Sequence, residues 1–161
     1  MKWPVAALVA VLLLGGCAKW SPPLEQRTTH GPTARQFWVL QMSLLNNRDP
    51  TLDERRHWED QLETRIDQYL HAHPEDAGAL TVSAFRFNKQ VVTGLAKEQV
   101  LILLGPPEGV TADQAVMEKA ARRYWKDMQG NVTEAWSYPL GWTFFFTGPR
   151  LTYITQYLER D

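Results

Sequence analysis

Apolar residues follow three successive patterns along the chain: one unbroken run, then helical spacing, then strand-like alternation. The unbroken run extends from Val5 to Leu14, follows Lys2 and ends at the Gly-Gly-Cys sequence of residues 15–17. A basic start, an apolar core and a small-residue exit are the three parts of a secretory signal. The run is about ten residues long, well short of the roughly 20 that a membrane-spanning helix needs. We therefore predict a signal peptide over residues 1–16.

Residues 17–32 contain few apolar side chains and several Ser, Thr, Pro and Gly residues. Such a composition is typical of an extended linker. We predict a tether here, long enough to hold a folded domain a few tens of Å from its attachment point at about 3.1 Å per residue.

Helical spacing predominates over residues 33–90, which we predict to be a helical extension. A first helix is expected to begin near Pro32 and to end at Asn46 and Asn47. Its apolar residues cover a broad arc, which predicts a buried helix; they are Phe37, Trp38, Leu40, Met42, Leu44 and Leu45.

A capping box and a narrow apolar stripe indicate a second helix. Thr51 and Glu54 have the spacing at which each side chain can bond the other's free backbone amide. The stripe recurs every three or four positions, at Trp58, Leu62, Ile66 and Leu70. Pro74 is expected to end this helix. Residues 76–90 fit a helix throughout and a strand over half their length, and we interpret them as a helix.

Beyond residue 91 the pattern predicts an α+β domain. A short helix between Gly94 and Gly105 is expected to bury Val100, Leu103 and Leu104. Three β-prone segments, residues 132–138, 142–147 and 151–158, are separated by turns and predict an antiparallel meander.

An additional helix is predicted over residues 111–128, before the first of these strands. Thr111 and Gln114 have the spacing of a capping pair, and Gly130 follows the end of the helix. The expected apolar face consists of Val116, Ala120, Tyr124 and Met128.

Alternation along the strands divides their aromatic side chains between two faces. Trp142, Phe144 and Phe146 share one face, and Phe145 points to the other. If helices cover one face of a three-stranded sheet, the other face remains free. We therefore predict a candidate partner surface made of Phe145, Tyr153 and Ile154.

Composition and charge restrict the classes of function. Cys17 is the only cysteine, which excludes a disulfide framework and a thiolate metal site. A net charge of -1 argues against nucleic-acid binding, which needs a basic surface. No nucleophile elbow, phosphate loop or dinucleotide motif occurs, so we expect no enzyme, cofactor or small-molecule substrate. His57, His71 and His73 leave a zinc site open as an alternative.

The residues around the predicted cleavage site, Leu14-Gly15-Gly16-Cys17, closely resemble the lipobox of bacterial lipoproteins. The resemblance implies cleavage between Gly16 and Cys17 and attachment of a diacylglyceryl group to the Cys17 thiol. Ala18 follows the cysteine, and lipoproteins without aspartate at that position are generally sorted to the outer membrane. The implied location is the outer membrane, with the protein lipid-anchored and facing the periplasm.

The C-terminal part, residues 91–161, resembles the SmpA/OmlA family of small outer-membrane lipoproteins. The residues that carry the resemblance are Gly94, Val100, Gly105, Pro107, Trp136, Tyr138 and Phe146. The family fold packs two short helices on a three-stranded antiparallel sheet, is shared with β-lactamase-inhibitor proteins, and serves protein binding. This chain departs from the family in having Ala96 where a capping Ser or Thr is common, and in its helical extension and additional helix.

The two resemblances imply a non-catalytic accessory or scaffold protein in an envelope complex, with β-barrel outer-membrane protein assembly as one candidate. Its expected partners are the membrane, through the lipid on Cys17, and envelope or outer-membrane proteins. One alternative is an inhibitor-like module that binds a periplasmic enzyme. Another is a metal-assisted hydrolase that uses His57, His71 and His73.

Overall fold

The computed structural model describes residues 22–159, so the predicted signal peptide and Cys17 lie outside the described residues. The helices are α1 (Ala34–Asn46), α2 (Leu52–Ala72), α3 (Pro74–Ala77), α4 (Lys97–Leu104), α5 (Gln114–Ala121) and α6 (Trp125–Met128). A π-helical turn occupies Ala84–Asn88, and a 3-10 turn occupies Arg122–Tyr124. The strands are β1 (Leu24–Thr28), β2 (His30–Thr33), β3 (Gln90–Val92), β4 (Gly109–Thr111), β5 (Glu134–Tyr138), β6 (Trp142–Thr147) and β7 (Arg150–Leu158).

The main sheet has five antiparallel strands in the order β1-β7-β6-β5-β4, and β2 and β3 form a separate pair. The α+β class is therefore confirmed. The three predicted strands are present as β5, β6 and β7, which are neighbours in the sheet. The prediction of a three-stranded sheet is wrong, because β1 pairs along the outer side of β7 and β4 pairs along the outer side of β5.

The prediction of a tether over residues 17–32 is wrong from Leu24 onward. All five residues of β1 pair with β7, and the Gln26 side chain donates to Gln156 over 2.9 Å. Gly31 and Pro32 are buried. Main-chain hydrogen bonds to β7, rather than an apolar face, hold this segment in the sheet. Its polar composition therefore gave no indication of a strand. Only residues 17–23 remain for a tether.

The helical extension is partly as predicted. α1 begins one residue after Thr33, which forms a capping box with Gln36, whereas Pro32 lies in β2 rather than in the first helical turn. The capping box of Thr51 and Glu54 at the start of α2 is confirmed. The single helix predicted over residues 76–90 is wrong. The chain instead forms the end of α3, the π-helical turn and β3, which has β2 as its partner.

The short helix α4 is confirmed, with Val100, Leu103 and Leu104 buried and Gly105 at its end. Ala96 offers no side-chain cap, but the Gln99 side chain accepts a hydrogen bond from the Ala96 amide over 2.8 Å. Half of a capping box is therefore retained, since one of the two reciprocal bonds is made.

Helices cover both faces of the main sheet. On the first face, α1, α2 and α4 bury the larger cluster, which includes Phe37, Leu62, Ile66, Val100, Phe144, Phe146 and Ile154. On the second face, α5 and α6 bury a smaller cluster of Met117, Ala121, Trp125, Met128, Val132, Ala135 and Phe145. The predicted division of the β6 aromatics is confirmed. The predicted partner surface is wrong, because Phe145 and Ile154 are fully buried on opposite faces and Tyr153 packs against the second cluster.

The helix predicted over residues 111–128 is interrupted and begins later. Asp113, not Thr111, caps α5 by accepting from two backbone amides, and Thr111 belongs to β4. Arg122 has a φ of 54°, which ends α5 before the 3-10 turn. The buried face is shifted from the predicted one: Met117, Ala121, Trp125 and Met128 are buried, whereas Val116 is exposed.

Candidate protein-binding surface

Most residues of the family motif lie in the interior, where they shape the core. Gly94 has a φ of 96° and donates its amide hydrogen to the Leu151 carbonyl over 2.7 Å, which joins the turn after β3 to β7. The buried Tyr138 hydroxyl donates to the Gly105 carbonyl over 2.8 Å at the end of α4. Burial raises the pKa of Tyr138, so the phenol stays protonated and keeps this bond.

The remaining motif residues have the same kind of role. Val100 is buried, and Pro107 lies half-buried in the turn between α4 and β4. Trp136 and Phe146 pack with ring centroids 4.6 Å apart. The Lys97 ammonium lies 5.5 Å from the Phe146 ring centre and 2.7 Å from Glu134. Four of the seven motif residues, Val100, Trp136, Tyr138 and Phe146, are therefore buried in the larger cluster, whereas Gly94 is exposed and Gly105 and Pro107 are half-buried.

A buried polar network attaches the helical extension to the main sheet. The Asp76 carboxylate accepts from the Tyr69 hydroxyl over 2.5 Å and from the Arg150 guanidinium over 2.8 Å. Burial alone would raise the pKa of Asp76, but the bonds from Tyr69 and Arg150 outweigh it and hold this pKa below its usual value. Burial and the bond to Asp76 raise the pKa of Tyr69. The network thus connects α2 and α3 to the first residue of β7.

The structure does not assemble the three histidines of the zinc alternative. His57 bonds Gln61, and His71 bonds the Asp67 carbonyl. His73 stacks on Tyr69 at 4.4 Å, with its ring nitrogens 3.2 Å from Glu75 and 3.7 Å from Glu98. Within residues 22–159, no three metal-ligating side chains form a group that could hold an ion.

The helical hairpin of α1 and α2 is held together near its start by an aromatic pair. The Trp38 and Trp58 rings stack at 4.8 Å with an interplanar angle of 14°. Arg35 forms an ion pair with Glu59 beside them. The stacked rings and the adjacent ion pair therefore connect α1 to α2 at this level.

The loop that joins α1 to α2 is braced by polar contacts. Asn47 takes a left-handed conformation at φ 51°, and Ser43 donates to Asp49 over 2.9 Å. Two nitrogens of Arg48 contact the two carboxylate oxygens of Glu54 at 2.7 and 2.9 Å. The bond from Arg48, aided by those from Thr51, lowers the pKa of Glu54 to about 2. Glu54 is therefore ionised at neutral pH and can keep its contact with Arg48.

Three leucines on the helical turns that flank this loop project into solvent: Leu44 and Leu45 near the end of α1, and Leu52 at the start of α2. Leu44 is 73% exposed, Leu45 is 79% exposed, and Leu52 is 62% exposed. We call Leu44, Leu45 and Leu52 the leucine tip. The prediction of a buried first helix is wrong here, since only Ala34 and Phe37 of α1 are buried. Leu44 shares the stripe of Phe37 but lies two turns, about 10 Å, further along the helix, where nothing packs against it.

Another exposed apolar side chain, that of Phe87, lies beside the first half of α2. Phe87, in the π-helical turn, is 69% exposed and borders a cavity of about 280 Å³ that Trp58 also lines. Charged side chains surround this cavity; they are Arg35, Glu59, Glu63 and Lys89. Apolar centres with a charged rim are the usual composition of a protein-binding surface.

The exposure of Leu44 and Leu45 was not predicted, because every apolar position of α1 was interpreted as part of the core. The width of the apolar arc was the available signal: Leu44 and Leu45 are 100° apart on a helix, and Leu40 and Met42 widen the arc further. A helix cannot bury so wide an arc against one neighbouring layer. Part of the arc therefore had to face solvent or a partner.

Comparison of the chain with protein-family models, with curated proteins and with solved structures gives no match. None of the helices in residues 22–159 combines the length and the apolar character needed to cross a bilayer. The assignment of a function therefore depends on the residues and geometry described above.

Proposed function

We propose that this chain is a non-catalytic lipoprotein, anchored to the outer membrane by lipid on Cys17, that acts as an accessory or scaffold in an envelope protein complex. The observation that carries the proposal is the leucine tip, a set of exposed leucines at the end of α1 and the start of α2. Its partner would be an envelope or outer-membrane protein with a complementary apolar surface.

Burial of the leucine tip against an apolar surface of a partner would be energetically favourable. Burying one leucine side chain contributes about 1.5–3 kcal/mol in the direction of association. Binding by side chains whose backbone is already ordered loses less conformational entropy, so more of this energy appears as affinity. Leu44 and Leu45 lie in α1 and Leu52 begins α2, so helical hydrogen bonding orders their backbone before any partner arrives.

The lipid anchor would raise the effective concentration of the leucine tip for partners in the same membrane. The lipobox at residues 14–17 supports this part of the proposal. The SmpA/OmlA-like fold of residues 91–161 also belongs to the proposal. It is supported by the packing of the motif residues between α4 and the three neighbouring strands β5, β6 and β7.

The test is an affinity pull-down of the full protein from detergent-solubilised membranes, read by quantitative mass spectrometry. We would compare the native chain with Cys17→Ala and with the double variant Leu44→Ser/Leu45→Ser. A matched control is Val110→Ser/Val116→Ser, which removes two exposed apolar side chains from the α5 side of the molecule. We expect the same envelope proteins with the native chain and the valine control, and about tenfold less with the leucine variant.

Other outcomes would reject the proposal. Equal recovery with the leucine variant would remove the leucine tip as the partner surface. Recovery of one soluble periplasmic enzyme, in equal amounts with and without Cys17, would instead favour the inhibitor-like alternative. Recovery of β-barrel assembly proteins that depends on both Cys17 and the leucines would define the complex.

A further inference from the structure

The turn between β5 and β6 presents an exposed leucine in an unfavourable backbone conformation. Leu140 has a φ of 60°, in the left-handed region that side chains other than Gly, Asn and Asp seldom adopt, and is 49% exposed. Gly141 follows at φ 70°, where a side chain would collide with the Tyr157 carbonyl. The turn therefore holds an apolar side chain outward at a position where a glycine or asparagine would fit with less strain.

This turn lies at the same end of the sheet as the start of the described chain. The Gln156 side chain donates to the Leu140 carbonyl over 3.0 Å, and the Tyr157 amide donates to the Gly141 carbonyl over 3.0 Å. The next residue, Leu158, is the partner of Leu24 in β1. With strands about 4.8 Å apart, the turn on β6 is about 10 Å from β1, two strands away.

The chain between the lipid attachment site and the sheet is short. Leu24 is seven positions after Cys17, and a stretch of that length spans at most about 25 Å when fully extended and about 15 Å as a relaxed coil. The polar headgroup region on one side of a bilayer is about 5–8 Å thick. An anchored Cys17 would therefore hold the Leu140 end of the sheet within reach of the headgroups.

The side chains around the turn suit a membrane interface. Trp142 begins β6 and is half-buried, and Tyr157 on β7 lies under the Arg122 guanidinium at 3.8 Å. Trp and Tyr are the aromatic residues that concentrate at membrane interfaces, and arginine can extend towards phosphates. The nearby Glu25 carboxylate faces Arg122 and Arg123, at 3.7 and 3.4 Å, so its charge is compensated.

We infer that Leu140 inserts into the headgroup region of the bilayer in which the Cys17 lipid is anchored. This inference rests on the lipid attachment in the proposed function. The lipid alone is one point of attachment, whereas lipid and Leu140 together form two. The contact would therefore set the orientation of the sheet on the membrane. Because the contact is apolar, it requires no anionic lipid.

The test uses the full lipidated protein with Leu140→Cys, reconstituted into phosphatidylcholine vesicles. Cys17 is the only native cysteine and its thiol is consumed by the lipid, so the introduced cysteine alone takes a nitrobenzoxadiazole fluorophore. Vesicles with doxyl-labelled acyl chains quench a fluorophore that enters the membrane. The control is Leu80→Cys, because Leu80 is an exposed leucine outside the predicted membrane contact and is fully accessible to solvent. Circular dichroism verifies that both variants are folded.

The control position lies at the opposite end of the same sheet. Thr81 lies against Gly94, and Gly94 donates to Leu151 near the start of β7. Leu151 and Leu158 are seven residues apart on that strand, about 23 Å. A label at position 80 is therefore expected to remain in water.

For a label at the headgroup boundary, about 5–10 Å deep, we expect quenching of about twofold or more at position 140 and none at position 80. If the protein floats with the vesicles but position 140 is quenched no more than position 80, the inference is wrong and the anchor stands. If position 140 is shielded from water without quenching, a protein contact has been found and the inference is also wrong. If the protein with intact Cys17 does not float with vesicles, the anchor fails and the inference fails with it.

Discussion

The two faces of the main sheet are covered by helices in different ways. On the second face, α5 and α6 are short, and their cluster includes the fully buried Met128 and Phe145. On the first face, α1 and α2 are longer, and the end of α1 and the start of α2 expose the leucine tip. Both layers bury part of the core, but the first layer exposes three leucines, whereas the second exposes the smaller Val116.

This difference shows why burial cannot be inferred from hydrophobicity alone. Phe145 and Leu45 are both apolar residues in regular elements, yet one is fully buried and the other is 79% exposed. What separates them is whether another element packs over the residue, since α5 and α6 pack over Phe145 and Leu45 is left uncovered. An apolar residue beyond the end of its packing partner is available for binding another molecule.

The largest expected effect is a loss of stability, which tests whether α5 and α6 cover the second face of the main sheet. Phe145→Ala should lower the free energy of unfolding by about 3–5 kcal/mol, since it opens a cavity in the smaller cluster. Phe144→Ala is the matched variant on the first face, and a similar loss is expected there. Urea denaturation would measure both. A loss for Phe145→Ala below about 1 kcal/mol would indicate that α5 and α6 do not pack on this face.

A smaller effect is expected at the network that joins the first helical layer to β7. Asp76→Asn should cost about 1–3 kcal/mol at neutral pH, because the Arg150 charge and the Tyr69 hydroxyl lose an ionised partner. Thermal denaturation at neutral pH, compared with the native chain, would measure this loss. The exposed Glu118→Gln is the control and should leave stability at neutral pH unchanged.

The contribution of Asp76 to stability is expected to depend on pH. The folded-state pKa of Asp76 is below its unfolded value. Its stabilising contribution is therefore fully present above the unfolded pKa, near 3.9, and is lost as the pH falls through the folded pKa. The stability of the native chain should approach that of Asp76→Asn over this acidic range. A constant difference between the two down to the lowest pH would show that the carboxylate charge is not what stabilises the network.

The smallest effect on stability is expected at the leucine tip. Leu44→Ser and Leu45→Ser should each change the free energy of unfolding by no more than about 0.5 kcal/mol, because neither side chain is packed in the isolated chain. Chemical denaturation would measure this alongside the pull-down. A loss of 2 kcal/mol or more, of the size expected for a core leucine, would place these residues in the core and would remove the distinction between the two layers.

Local signals in the sequence were sufficient to predict several helices and the strands β5, β6 and β7. The Thr51 and Glu54 pair marked the start of α2, the glycines at 94 and 105 bounded α4, and alternation assigned Phe144 and Phe145 to opposite faces. Each of these features depends on residues close together in the chain. Local chemistry alone decides them.

The features that were missed depend on distant parts of the chain. β1 is polar and forms because β7, about 130 residues later, offers a free edge. Phe145 is buried because α5 and α6 fold over it, and Leu44 is exposed because no element reaches it. The candidate partner surface in the structure is therefore the leucine tip, and not the predicted set of Phe145, Tyr153 and Ile154. The predicted lipid site at Cys17 lies outside the described residues and stays a prediction.

The pairing of β1 with β7 has a consequence for how the protein folds. Contacts between segments so far apart in sequence have a high entropic cost and form slowly. Among the strands in residues 22–159, β1 is synthesised first and β7 last, so this pairing cannot form until Arg150–Leu158 has been made. For the exported lipoprotein proposed above, this topology would keep the main sheet incomplete until both strands have crossed the membrane.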